Sequence, residues 1–357
     1  MHEYLIDLLC CPSCHGNLEW NIEVERGDGI HSATVICSTC QRIYFVKDGI
    51  GIFINEGERD PRKELYQQLS GFMQTKDGKS FIEIPFEDLN PADRLFQSYM
   101  FEIDRNFEES QEREKSAMSE IYSEDYKKCW DSQIQHIVKT LSTQPWDEPI
   151  IDLASGRGIL AEQIATRTKA PIVVSDISPT ILERDKKIFE MINVNDRVDF
   201  LACDIRFTPF RTSSVSIATT NLGFQNVGEK HGQVDDVLKE VRRMLSGTLF
   251  GVANFYDPND LRNGIRISEL GLSWSFYRED FLRRIRNNGF EVKVENVCTG
   301  RNEPTPVGDY FKEASIDSLP VESTLTEWVH HRSKNSFVDY YPLNYLSGSL
   351  HIFSELS

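Results

Sequence analysis

Two groups of residues in this chain have the types and spacing to do chemistry. Cys11-Pro12-Ser13-Cys14 and Cys37-Ser38-Thr39-Cys40 are two Cys-x-x-Cys turns separated by 22 residues. Each turn aims two thiolates at one centre, and together they offer the tetrahedral four-sulfur set that suits Zn2+. Such a set is closed, with no open coordination position, so the metal's role is structural. A module of about 55 residues buries little apolar surface and gains from a metal staple. Cys10 lies outside the two-residue spacing and reads as a small core residue.

The second group follows an apolar run. Pro149-Ile150-Ile151-Asp152-Leu153-Ala154-Ser155-Gly156-Arg157-Gly158 is a strand, an acid and a glycine turn, and Ile159 to Arg167 reads as a helix. The glycines let the backbone turn sharply and approach a ligand closely. Gly156-x-Gly158-x-x-Ala161 also fits the dinucleotide fingerprint, so the turn by itself admits NAD(P). Ile172-Val173-Val174-Ser175-Asp176 ends in an acid placed to hold ribose hydroxyls, a feature that does not discriminate between cofactors. Val198 to Ile205 is a third strand carrying a further acid, Asp204. Each of these residues has a plainer reading as well. Asp152 has the position of a helix cap, Asp176 and Asp204 of strand-end turn formers, and Asn221 of a turn residue.

The elements that must position these groups fall into three stretches. Residues 1–55 are rich in strands and turns. Residues 56–145 are polar, acidic and helical in pattern, with Met118, Ile121, Tyr122, Tyr126 and Trp130 at roughly helical spacing. Residues 146–357 alternate short β-rich apolar runs with amphipathic helices, the pattern of a parallel sheet. The chain ends in an apolar strand, Leu343 to Phe353. The expected fold is therefore α/β: a doubly wound seven-stranded sheet with a small N-terminal β-rich ribbon and a helical linker or cap.

Composition limits the partners. The net charge is −17, with −4 over residues 1–55 and −8 over residues 56–131. No stretch has the basic footprint that drives nucleic-acid binding, so nucleic acid is the less favoured partner. No apolar run approaches the ~20 residues that span a bilayer. Glu3 and Asp7 stand where a signal peptide carries basic residues, which points to the cytoplasm.

Residues 1–55, with Leu8 to Cys14, Val35-Ile36-Cys37 and the closing Ile43-Tyr44-Phe45-Val46-Lys47-Asp48-Gly49-Ile50, resemble the zinc-ribbon activator subunit of tRNA, rRNA and release-factor methyltransferases. The resemblance implies a ribbon docked on a methyltransferase domain, here in the same chain. Residues from about 149 to 300 look like a class I S-adenosylmethionine (SAM) dependent methyltransferase. That likeness implies Asp152 beside the amino-acid end of SAM, with Ala154, Ser155, Gly156 and Gly158 as the turn. It implies Asp176 and Ile177 at the ribose, Asp204 accepting from the adenine amine with Ile205 beside it, and an antiparallel last strand. Ala154 and Ser155 occupy places where many relatives have a further glycine. Ser216 to Val227, with Asn221, is similar to the fourth-strand region of quinone-biosynthesis C-methyltransferases, which favours a small-molecule acceptor.

Methyl transfer from a sulfonium is mainly a matter of alignment, so no general base is obligatory. The Asp/Asn-Pro-Pro-aromatic motif of amino-group methyltransferases is missing, with Asn221-Leu222-Gly223-Phe224 in its place, and Cys203 reads as core rather than as a nucleophile. The catalytic candidates are His231, in a polar Gly-Glu-Lys-His-Gly loop, and Tyr126. Solvated-loop and helix-packing roles are the plainer readings of these two. The segment from about Gly300 to Asp339 is a further candidate cover for the site. Acting on RNA or protein, or binding SAM without catalysis, remain the alternative functions.

Overall fold

The computed structural model describes residues 1–27, 29–55, 60–89, 91–121, 124–143, 148–227, 234–256, 278–302 and 343–354. Two compact units emerge. One contains Met1–Asp60, Cys129–Thr299 and Tyr345–Ser357, and the other Pro61–Lys128 and Gly300–Asn344.

Among the described residues, the first unit is organised by one sheet of eleven strands. Its parallel heart is β5 (Ile150–Asp152), β6 (Ile172–Asp176), β7 (Val198–Ala202) and β8 (Val215–Asn221). Nearly every residue of β5, β6 and β7 is buried, as expected for strands covered on both faces. The sheet continues through β9 (Leu245–Tyr256), which is parallel to β8, then β11 (Leu343–Ser354) and finally β10 (Phe290–Asn302). β11 runs antiparallel to β9, with Ser349 opposite Val252. The order across these seven strands is β7-β6-β5-β8-β9-β11-β10, so the winding reverses between β5 and β8.

Side-chain alternation sends neighbouring residues to opposite faces. Ile150, Ile172, Val174 and Ile217 join α6 (Glu124–Ser142), α7 (Ile159–Arg167) and α8 (Pro179–Met191) in one buried cluster. Ile151, Val173, Leu201 and Ala218 join α9 (Gly223–Val227), α10 (Val234–Met244) and α11 (Arg278–Asn287) in the other. Trp130 packs against the first of these clusters, and so belongs to core packing.

The ribbon is an extension of the same sheet. β1 (Leu18–Arg26), β2 (Gly29–Cys37), β3 (Ile43–Lys47) and β4 (Ile50–Ile52) form an antiparallel meander. β4 then pairs parallel with β7, Ile50 opposite Phe200 and Ile52 opposite Ala202, and the Phe53 N–H continues the ladder to the Ala202 carbonyl at 2.8 Å. The inner residues of the meander, Ile30, Val35, Tyr44 and Phe53, share one core with Ile151, Val173 and Leu201. A short helix, α1 (Leu5–Leu8), precedes the first cysteines. Before it, His2 N–H and Tyr4 OH both donate to the buried Asp199 carboxylate of β7, at 2.7 and 2.9 Å. Partial desolvation, followed by the Asp199 charge and hydrogen bond, pushes the Tyr4 phenol well above its ordinary value.

The second unit contains α2 (Pro61–Gln74), α3 (Lys76–Ile82) and α4 (Pro91–Asp104) around Leu69, Phe72, Phe81, Phe96 and Met100, with α5 (Phe107–Ile121) against α4. Gln97 is buried there and donates to the Phe81 carbonyl near the end of α3 and to the Ile84 carbonyl just beyond it. Among the described residues no helix is long and apolar enough to cross a membrane.

Candidate functional site

The four knuckle cysteines converge. The Sγ atoms of Cys11, Cys14, Cys37 and Cys40 all lie within 4.8 Å of one another, with Cys14 and Cys37 3.5 Å apart and Cys11 and Cys40 3.6 Å apart. Four sulfurs bound tetrahedrally to one Zn2+ are spaced by about 3.8 Å, so the donor set fits such an ion. The two knuckles are built alike. His15 N–H donates to the Cys11 carbonyl and Gln41 N–H to that of Cys37. The first thiol residue of each donates in turn to Gly16 and Arg42 respectively. His15 and Gln41 close the turns in the left-handed region, at φ 57° and 60°. Cys10 stands apart, its thiol donating to the Phe210 carbonyl, a core role as expected.

The second centre lies at the carboxyl ends of β5 to β8. Ala154, Gly156 and Gly158 all take positive φ, at 48°, 56° and 64°. Glycine adopts that conformation freely, whereas Ala154 holds it at a cost of about 1 kcal/mol. The turn is fixed from beneath: Ser155 N–H donates to the Ser175 carbonyl, and Gly156 N–H to Asp176 Oδ2 at 2.9 Å. Asp176 Oδ1 also accepts from Ser178 N–H. Burial raises the Asp176 carboxyl above its ordinary value, while these backbone N–H groups oppose the rise.

Asp152 is 1% exposed, and its Oδ1 accepts from Thr219 Oγ1 at 2.7 Å. Burial pushes its carboxyl up to about 7, against the Thr219 hydrogen bond and with help from the Asp176 charge. Among the described residues, Asp152 Oδ2, Ser155 Oγ and Asn221 Oδ1 are all buried with no hydrogen-bond partner. Leaving a buried polar atom unpaired costs about 1–3 kcal/mol. These three atoms are therefore what a polar ligand at this end of the sheet would satisfy, and they fit the charged amino-acid end of SAM.

Asp204 follows β7 and accepts the N–H of Arg206 together with its guanidinium, and Ile205 beside it packs into the core. Ile177 is half-buried between Asp176 and Ser178.

Gly223 lets α9 approach this turn. A methyl there would stand 2.4 Å from Thr220 Oγ1 and 2.8 Å from Ala154 Cβ. Gly223→Ala is expected to cost about 1–3 kcal/mol through overpacking. A thermal melt of that variant should fall by several degrees, and an unchanged melt would show that the contact yields.

Several contributors had no signal in the sequence. Asp60 accepts from Ser178 Oγ, from Thr180 Oγ1 at 2.8 Å and from Thr180 N–H, which ties it to the start of α8 beside Asp176. Asp185 on α8 is fully buried close to Gly158, with no partner for Oδ2 among the described residues. Thr219 and Arg206 are polar residues whose roles depend on neighbours supplied by other strands and turns. Of the catalytic candidates, Tyr126 falls on α6. His231 and the 303–339 part of the insert lie outside the described residues.

A doubly wound parallel sheet, a glycine turn at the switch point and an antiparallel strand seated before the last one define the class I methyltransferase fold. Residues 150–247 match the family described as a methyltransferase domain, and residues 2–49 the family described as Trm112p-like protein. The chain therefore carries a class I methyltransferase domain with a Trm112-like ribbon fused before it. Curated relatives include the ubiquinone/menaquinone biosynthesis C-methyltransferase UbiE of Rickettsia typhi, 26% identical over 36% of this chain and 50% of the relative. The protein of that name from Xylella fastidiosa (strain M23) is 29% identical over 37% of this chain and 50% of its own length. The chain thus spans about half the length of these relatives. Among solved structures, YcgJ of Bacillus subtilis is 13% identical and aligns with 63% of this chain and 99% of its own, at a TM-score of 0.47.

Proposed function

We propose that the protein is a SAM-dependent methyltransferase acting on a small-molecule acceptor, with one structural Zn2+ held by Cys11, Cys14, Cys37 and Cys40. The observation that carries the cofactor reading is the set of buried, unpartnered atoms Asp152 Oδ2, Ser155 Oγ and Asn221 Oδ1 around a glycine turn. In this reading Asp152 pairs with the cofactor ammonium, and Ala154, Ser155, Gly156 and Gly158 hold its carboxylate end. Asp176 with Ile177 holds the ribose, and Asp204 with Ile205 the adenine. SAM supplies an activated methyl group when bound. The protein's own contribution is then to fix the cofactor, exclude water and align the acceptor atom.

A carbon acceptor also loses a proton, and His231 and Tyr126 are the candidate groups to receive it. The small-molecule reading draws support from the quinone-biosynthesis relatives and from the net charge of −17, which repels polyanions. Thiolate metal ligands suit the reducing cytoplasm, where we place the protein.

Labelled-methyl transfer from SAM into fractionated lysate tests the proposal. Label is expected in the small-molecule pool, and label confined to RNA or protein overturns the acceptor class.

A further inference from the structure

Resting on the cofactor reading above, we propose that Arg206 is a gate on the adenine site: its guanidinium occupies the Asp204 carboxylate, and the nucleoside base must displace it. Asp204 Oδ1 accepts the backbone N–H of Arg206 at 2.8 Å and Nε at 2.9 Å. Oδ2 accepts the same Nε at 2.9 Å and also Nη2. Three N–H groups, the Nε one shared between both oxygens, thus take three of the carboxylate's roughly four acceptor positions, and the guanidinium covers one whole edge of it.

The pair is also strong. The Asp204 side chain is 5% exposed and that of Arg206 25%, and a charge-assisted guanidinium–carboxylate contact outweighs one neutral amine donor. An exocyclic amine that approaches Asp204 across the edge the guanidinium covers therefore gains its bond only when the guanidinium leaves. The turn itself does not depend on that guanidinium. Phe207 N–H donates to the Asp204 carbonyl, and the Arg206 N–H to Asp204 Oδ1, through backbone donors that any side chain preserves. Asp204 can thus stay in place when the guanidinium swings away. The consequence is selectivity, because a base without a donor at this position has nothing to offer in exchange for the broken ion pair.

The test is calorimetric titration of the full chain and of Arg206→Met with S-adenosylhomocysteine. This ligand has no net charge, so the protein's overall field contributes little. The variant should bind about three- to tenfold more tightly. S-inosylhomocysteine, whose 6-oxo group cannot donate to Asp204, should gain nothing from the substitution, and raised salt should strengthen S-adenosylhomocysteine binding only in the unsubstituted chain. A merely structural arginine would produce neither pattern. Arg206→Lys, which keeps the charge and loses the two-pronged contact, should fall between the two proteins and serves if Arg206→Met folds poorly. Equal or weaker binding by both variants overturns the gate and makes Arg206 a spectator or a ligand. Absence of binding by all three proteins overturns the cofactor reading itself.

Discussion

SAM affinity is expected to strengthen about tenfold per unit as the pH rises from 5 towards 7, and then to level off. The cause is Asp152. Its carboxyl is buried at the end of β5 and titrates at about 7, because burial disfavours its charge more strongly than the Thr219 hydrogen bond favours it. Pairing with a cofactor ammonium needs the ionised form. Below 7 that form must first be made by releasing a proton, and each pH unit costs about 1.4 kcal/mol. Calorimetry in two buffers of different ionisation heat at pH 6 should therefore report proton release on binding.

Stability should move in the opposite direction. Between an unfolded value near 3.8 and the folded value of about 7, the native state holds a proton that the unfolded chain has lost. Stability therefore falls as pH rises through that window, and the penalty, of order 4 kcal/mol, is complete above 7. Asp152→Asn removes the penalty and the charge together. At pH 8 its melting temperature should rise, while SAM binding weakens at least about 100-fold and loses its pH dependence. A variant that melts lower and binds normally would make Asp152 a structural acid and remove it from the cofactor site.

Placements that follow from local spacing were legible in the sequence. Cys11, Cys14, Cys37 and Cys40 declare themselves because a knuckle is a local turn, and the structure brings all four together. Asp152, Gly156 and Gly158 were legible because strand, acid and turn follow one another directly, and α7 begins and ends at Ile159 and Arg167 as its pattern predicts. The parallel pairing of β4 with β7 was not legible. Ile50-Gly51-Ile52 reads simply as the end of a small module, and its partner lies about 150 residues away along the chain. Parallel pairing leaves no turn in the sequence to announce it. Arg206 escaped notice for a different reason. An arginine two residues after an acid is ordinary, and only the turn at Asp204 folds the guanidinium back onto the carboxylate. Ala154 stands where many relatives have a glycine, but its positive φ is a property of the folded turn.

That parallel pairing gives metal removal its largest expected consequence. Cys37 closes β2, is fully buried, and its Sγ accepts the Cys40 N–H. Gly16 packs so closely that a methyl there would meet Cys37 Sγ at 3.2 Å, so the knuckles have little room to rearrange around a substitution. Cys37→Ser should abolish stoichiometric zinc by metal analysis, since a structural thiolate site contributes folding free energy of order 10 kcal/mol. In a ribbon that merely docks, the loss would remain local, and melting would split into two steps of which only the lower responds to chelator. Here β4 is hydrogen-bonded to β7, and Val35, Tyr44 and Phe53 share a core with Ile151 and Leu201. The segment after Asp204 is tied to the ribbon as well, with Cys10 N–H on the Pro209 carbonyl and Arg211 N–H on that of Leu8. The sheet unit should accordingly melt in one transition, lowered by at least about 10 °C in Cys37→Ser or after chelation. S-adenosylhomocysteine binding should weaken in parallel, because the strand that positions Asp204 is the one the ribbon extends. Two separate transitions, with the upper one and the ligand affinity unmoved, would show that the ribbon folds independently of the sheet it joins.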